Sequence, residues 1–333
     1  MSVLVEPAGT IEEGTVMRAL LRGRRGLEAA VSSFGATLQW LRVPGSCGEP
    51  VDLVLGYDRP EEYARRPGYL GATVGRFANR IAHGRFRLDG RLFRLPCNPD
   101  GRHHLHGGPG ALSHRIWSLE RVAGAEAVRL AIVSPDGDNG YPGRLEVSCT
   151  YALEEEGLAI ELEATTDAPT PVNLVHHSYW NLAGGGTIDD HHLELAADRV
   201  LEVDADLIPT GRILAVDGTP LDYRAPRRLD DRGPPALDHC FLVPGVGFRR
   251  IGTLEHRRSR RALELWSDQP AVQVYSAIHL DVPGRGGVRY GPRAGLCLET
   301  EALPDAPNHP HFPSAILRPG ERYRHRMLFR LRF

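Results

Sequence analysis

The chain contains no lysine; each of its 40 Lys-or-Arg positions is an arginine. Schiff-base and pyridoxal-phosphate chemistry both need a lysine amine, so both are excluded. A Walker-type phosphate loop is excluded too, because it requires Gly-Lys-Ser/Thr. Cysteine is scarce: Cys47, Cys97, Cys149, Cys240 and Cys297 are scattered, odd in number and never spaced as C-x-x-C. That pattern argues against a disulfide framework or a zinc site and for free thiols in a reducing compartment, hence a cytoplasmic location. No apolar run approaches the roughly 18 residues of a membrane span. Met1 to Glu13 shows no basic region followed by an apolar stretch, so no secretory signal is read there. A net charge of -2 gives no support for nucleic acid or an acidic membrane as partner. A serine elbow of the G-x-S-x-G type is also missing.

Helical periodicity is as scarce, confined to Pro60–Arg66 and a turn near Asn79. What is present is alternation. Early strands are expected at Gly35–Val43 and Val51–Tyr57, and a hairpin at Arg85–Leu95 turning on Asp89-Gly90. A meander follows at Arg129–Val133, Arg144–Leu153 and Leu158–Thr166. Later strands are expected at His192–Leu195, Arg261–Trp266, Ala271–His279 and Gly295–Thr300. The last, Arg322–Phe333, sets arginines on a solvated face against inward Tyr323, Met327, Phe329 and Leu331. No repeat or low-complexity linker divides the 333 residues, so one all-β domain spanning 1–333 is expected, a large and mostly antiparallel β-sandwich.

The most informative stretch is Pro171–Asn181, P-V-N-L-V-H-H-S-Y-W-N. Read as a strand, it puts Val172, Leu174, His176, Ser178 and Trp180 on one face. Asn173, Val175, His177, Tyr179 and Asn181 take the other, which reads as the wall of a polar pocket with His177 at its centre. Further polar clusters lie at Gly75–Ile81, His103–Gly108, Leu237–Phe241 and Cys297–Glu301, with Gln273 on a strand of its own. His, Asp, Asn, Gln and Arg with aromatics suit a ligand covered in hydroxyls. A histidine and a carboxylate on opposite sides of it would form an acid–base couple.

Taken in order, G-R-F-A-N-R-I, H-L-H-G-G, S-P-D-G-D-N-G-Y-P-G, N-L-V-H-H-S-Y-W-N-L-A-G, L-I-P-T-G, D-H-C-F and C-L-E-T-E-A-L-P-D-A resemble the aldose 1-epimerase (galactose mutarotase) family from about Gly35 to the C-terminus. The resemblance implies the β-sandwich of that family with an open sugar cleft, and no metal or organic cofactor. It implies His177 as general acid to the ring oxygen and Glu299 as general base to the anomeric hydroxyl. Arg80, His106, Asp238 and Gln273 would hold hydroxyls, with Asn79 and Tyr179 in support, on a monosaccharide bound by a monomer or homodimer. Glu299 is expected to be partly buried with a raised pKa.

Three positions depart from the family's habit: His176 and Cys240 stand where Asn is usual, and Glu301 where Gln is usual. Cys240 and Glu301 are not expected to touch the acid–base pair and bear on substrate preference more than activity, while His176 is expected to replace the Asn or to alter specificity. Plainer readings are assigned elsewhere. His103 and His104 are taken as exposed loop residues, Asp136 and Asp138 as turn formers, and Trp180 as core. Alternatives are a hexose-6-phosphate 1-epimerase, which should gather several arginines, and a non-catalytic sugar-binding module, which should lose His177 or Glu299. A glycoside hydrolase would need a carboxylate partner for Glu299, and only Asp238 offers one.

Overall fold

The long strands present apolar side chains around which three sheets meet. The computed structural model describes residues 2–45, 48–65, 68–98, 101–230 and 236–333. A 5-stranded meander is formed by Ser2–Ile11, Gly14–Arg22, Glu28–Ser32, Thr37–Pro44 and Pro50–Asp52. A 9-stranded sheet contains Leu145–Glu154, Gly157–Thr166, Tyr323–Arg332, Arg261–Ser267 and Arg249–His256 as consecutive neighbours. A 6-stranded sheet runs Tyr179–Trp180, Leu296–Glu301, Ala271–Tyr275, Asp238–Leu242, Arg199–Val203 and Pro209–Ala215. Every strand pairing within these sheets is antiparallel.

Period-two alternation decides what goes inside. In Leu145–Glu154 the residues Leu145, Val147, Cys149, Tyr151 and Leu153 are all buried. Across the last strand His325, Met327, Phe329 and Leu331 point inward. Arg324, Arg326, Arg330 and Arg332 point outward to Glu161, Asp268, Glu156 and Glu255. One apolar cluster joins Leu21 and Leu38 of the first sheet to Phe329 and Leu158 of the second and to Val272 and Leu298 of the third. Trp180 belongs to it, its ring 4.7 Å from that of Phe329.

The expected hairpin forms as Arg85–Leu88 and Arg91–Arg94, with Asp89 and Gly90 both at positive φ (47° and 81°). The turn thus uses the two left-handed residues that match strand twist. The helix ends at Arg65; Arg66 lies outside the described residues, as does Cys47. The second early strand is shorter than expected, Pro50–Asp52, with only an isolated bridge from Val54 to Trp180 beyond it. The expected strand to His279 stops at Tyr275. Ser2–Ile11, Gly14–Arg22, Arg199–Val203, Pro209–Ala215 and Arg249–His256 are strands that the alternation did not announce. In Ser2–Ile11 no side chain is fully buried, so its apolar residues make no sharp two-face pattern.

Phe329 packs on both Trp180 and His176. Phe329→Ala should therefore lower unfolding free energy by about 3–5 kcal/mol, measured by urea denaturation.

Candidate active site

The register of the 6-stranded sheet puts Glu299 opposite Gln273, Cys240 opposite Gln273 on the far side, Asp238 opposite Tyr275, and Tyr179 opposite Cys297. Alternation then gives Cys297, Glu299 and Glu301 one face of Leu296–Glu301, while Leu296 and Leu298 enter the apolar core. The short strand Val175–His177 pairs with Ala72–Val74 and delivers His177 to the same face. Its Nε2 lies 3.6 Å from Glu299 Oε1 and its Nδ1 3.6 Å from Cys297 Sγ. The Tyr179 ring is 5.1 Å from the imidazole.

Arg80 and His106 come from a second construction. Arg80–Ile81 pairs with His104–Leu105, which brings the two motifs together. The Asn79 N–H donates to His106 Nδ1 at 3.2 Å, and the His106 N–H donates to the Asn79 carbonyl at 3.0 Å. With Nδ1 accepting, neutral His106 carries its hydrogen on Nε2 as a donor. Both residues are left-handed, at φ 60° and 52°. Gly107 follows at φ 86°, and a Cβ there would stand 2.0 Å from the Gly75 carbonyl oxygen. The glycine is what lets the two motifs touch.

Asn79, Arg80, His106, His177, Tyr179, Asp238, Gln273 and Glu299 all line one cleft of about 460 Å³. Tyr69, Tyr275, Leu280 and Val282 line it as well, giving an apolar surface beside the polar groups. Tyr69 was not read from the sequence; it is an isolated aromatic between Gly68 and Leu70, outside any motif. Its ring lies 4.7 Å from His106 and 5.7 Å from His177. Gln273 Nε2 donates to Asp238 Oδ1 at 2.5 Å, leaving the other carboxylate oxygen and the Gln carbonyl for a ligand. The Arg80 guanidinium has no hydrogen-bond or ion-pair partner among the described residues.

Burial dominates the electrostatics. It pushes His177 down to about 4 and raises Glu299 well above the usual carboxylate range, helped by the Glu301 and Asp238 carboxyls. Glu299 is 4% exposed, deeper than the partial burial expected. His106 is held well below its ordinary value by burial, then by His177 and Arg80. Burial thus disfavours charge on both members of the pair, favouring the neutral imidazole and the protonated carboxyl. A neutral imidazole with a carboxyl holds the same number of protons as an imidazolium with a carboxylate.

Several expected placements are corrected. Asn173 and Asn181 do not line the cleft. Asn173 holds the Ala302 N–H at 3.0 Å through its Oδ1, and Asn181 donates to the carbonyls of Ala294 and Gly186. His103 and His104 are buried rather than exposed. The His104 ring bridges the Pro96 carbonyl and the Tyr141 hydroxyl, each at 2.7 Å. His176 faces the core, bonded to Ser178 Oγ at 2.7 Å, so its place beside His177 in sequence is not a place in the cleft. Glu301 makes no contact with the pair, but its charge bears on Glu299.

Arg76 is a residue whose part the sequence did not reveal. Its buried guanidinium donates to Ser134 Oγ and to the carbonyls of Ser134, Pro135, Pro142 and Gly143, which pins the Ser134–Gly143 loop. Asp136 and Asp138 serve that loop, Asp138 pairing bidentately with Arg115 at 2.7 Å. The donor atoms of His177, Cys297 and Glu299 lie within 4.8 Å of one another, close enough to converge on a cation. Burial raises both the thiol and the carboxyl, which disfavours the deprotonated ligands that a metal needs.

The aldose 1-epimerase profile matches residues 17–330. A galactose mutarotase from Bos taurus is 41% identical over 97% of this chain and 94% of its own length. The chain belongs to the aldose 1-epimerase family. An aldose 1-epimerase from Escherichia coli is 36% identical over 96% of this chain and 97% of its own. Among solved structures, an aldose epimerase homologue from C. elegans superposes with a TM-score of 0.89 at 33% identity, covering 94% of this chain and 98% of that one. Galactose 1-epimerase from Lactobacillus acidophilus gives 0.86 at 26% identity, over 99% and 98%. The fold is that of the galactose mutarotases, and the function of the family is isomerisation of sugars at the anomeric carbon.

Gly107→Ala should strain the contact between the two motifs by about 1–3 kcal/mol. Thermal unfolding would show the loss, and sugar affinity measured by calorimetry should fall with it because His106 and Arg80 shift together.

Proposed function

We propose that the chain interconverts the α and β anomers of a free aldohexose such as galactose or glucose, with His177 and Glu299 as its acid–base couple. The observation that carries this is the pair itself: a buried imidazole and a buried carboxyl 3.6 Å apart, on the wall of a cleft lined by hydroxyl-binding side chains. Glu299 as carboxylate takes the proton of the anomeric hydroxyl. The electrons form the C1 carbonyl, the bond from C1 to the ring oxygen breaks, and that oxygen receives the proton of His177. The C1 end of the open aldehyde rotates about C1–C2. Reclosure returns each proton to its donor, so the enzyme ends as it began. At 3.6 Å the two groups are too far apart for a good hydrogen bond, so the transfer runs through the sugar.

Arg80, His106, Asp238 and Gln273 are assigned to the sugar hydroxyls, with Asn79 and Tyr179 supporting. Asn79 is largely occupied in the frame: its Oδ1 accepts from the Arg80 N–H at 2.9 Å and its amide donates to Glu301. Tyr69 and Tyr275 offer ring surface to the apolar face of the hexose. A hexose 6-phosphate would call for several cations, and Arg80 is the one arginine lining the cleft among the described residues. A binding module would not need the facing His177 and Glu299. We further propose that the 333 residues act as one unit, as a monomer or homodimer, in the cytoplasm. Free Cys97, Cys149, Cys240 and Cys297 support that compartment. Among the described residues no helix is long and apolar enough to cross a membrane.

Polarimetry on freshly dissolved α-galactose and α-glucose tests the reading. His177→Ala and Glu299→Gln should each lower kcat/KM by about 10²–10⁴-fold, with melting temperatures close to wild type. A wild-type protein that leaves both sugars at the spontaneous rate would refute it.

The pH profile should be broad. His177 has a depressed pKa, so the pair gains its second proton, and activity falls, only as pH drops through about 4. Glu299 is raised, so the shared proton is lost, and activity with it, well above the ordinary carboxylate range. A sharp optimum with an acid limb near 6.5 would contradict the assignment.

A further inference from the structure

Two residues along from Glu299, on the same face of the same strand, stands a second carboxyl, that of Glu301. It is fully buried and does not line the cleft. Its two oxygens are spoken for by separate donors: Asn79 Nδ2 reaches Oε1 at 3.4 Å, and Asn173 Nδ2 reaches Oε2 at 3.4 Å. The Cys240 thiol donates to it as well. The other titratable groups facing it are Glu299 on its own strand, Asp238 and Cys240 on Asp238–Leu242, and the Tyr323 phenol. No cation pairs with it among the described residues; Arg80, next to Asn79, does not reach it with a hydrogen bond or ion pair. A buried carboxyl with amide donors and no counter-charge is costly to ionise.

We propose that Glu301 is a positioning residue for Glu299: a second buried carboxyl on the same strand face, held by Asn79 and Asn173 with no counter-charge among the described residues, whose charge governs how readily the His177–Glu299 pair gives up its proton. The geometry gives it two handles. Through Asn79 it touches the turn that carries Arg80 and accepts His106, and through its charge it acts on Glu299 without meeting the sugar. Burial holds its own proton up to about 8, and Asp238 adds to that. Above that pH its negative charge makes a carboxylate at Glu299 harder to form, so the working pair keeps its proton to higher pH. The inference rests on the acid–base assignment given above.

Glu301→Gln tests it, because the amide keeps the shape and removes the titration. The alkaline limb of kcat/KM for mutarotation should move to lower pH by on the order of one unit, with the acid limb in place. A uniform loss at every pH, or an unmoved alkaline limb, would overturn the proposal. Uniform loss is what a purely structural Glu301 predicts, since glutamine can accept from only one of its two amide donors.

Infrared difference spectra across the pH range supply a readout that needs no activity. Wild type should show a buried protonated-carboxyl band titrating near pH 8 that is missing in Glu301→Gln, and the Glu299 band should vanish at lower pH in the variant. A Glu299 band that titrates identically in both proteins sinks the proposal even if mutarotation itself has failed.

Stability gives a third arm, and its sign is fixed. A carboxyl raised from 4.5 to about 8 contributes stability below pH 4.5 that is lost progressively up to about 8. Melting of Glu301→Gln relative to wild type should therefore improve steadily from pH 4.5 to 8 and then level off. A melting difference that does not change with pH would count against the proposal.

Discussion

The strand Leu296–Glu301 is buried along its whole length, and this constraint shapes everything around it. A strand with apolar residues on one face and carboxyls on the other, both out of water, must solve two problems at once. Leu296 and Leu298 enter the common core and hold the strand rigidly against Val272 and Trp180. Glu299 and Glu301 on the other face are then stripped of solvent, and desolvation raises both. The same packing that stabilises the sandwich therefore raises the proton affinity of both carboxyls. A more open strand would hold an ordinary, solvated carboxylate.

Burial acts on His177 in the opposite sense, and the two shifts complement each other. A raised carboxyl and a lowered imidazole both favour the uncharged form, so burial leaves the pair without net charge. Reversible chemistry with no net proton change suits a site closed on its inner side by the Tyr179 and Cys297 side chains. Around it, Arg76 fixes one loop through the Ser134 hydroxyl and four backbone carbonyls, and Asn173 ties Glu301 to the Ala302 N–H. These are rigid supports, and they keep the acid and base at a set separation.

Most of the cleft was legible because chemistry leaves residue types that packing does not ask for. His177, Glu299, Asp238 and Gln273 each stand on a strand whose alternation assigns a face, and the register brings those faces together. Alternation failed where a strand changes partner. Val175–His177 pairs with Ala72–Val74, but Tyr179–Trp180 pairs with Leu296–Glu301, and beyond these limits Asn173 and Asn181 turn to backbone groups instead of the cleft. His104 misled for another reason: a polar residue in a Gly- and His-rich run reads as a loop, and only the tertiary Tyr141 hydroxyl explains its burial. Tyr69 gave no signal at all, and Arg76 lay in a motif that did not disclose its loop-pinning part, since the meaning of both lies in what surrounds them. The N-terminal hairpin escaped because a half-buried edge blurs the two-face pattern.

The place of Tyr323–Arg332 has a consequence for how the molecule is made. The last strand of the chain lies in the interior of the 9-stranded sheet, between Gly157–Thr166 and Arg261–Ser267. Until it emerges from the ribosome, both of those neighbours present an unpaired edge, and the apolar surface that Phe329 covers is open. The two strands that it joins are more than 90 residues apart in sequence, so their linkage waits on a late, long-range event. Tyr323–Arg332 thus both completes the sheet and ends the exposure of those two edges to aggregation.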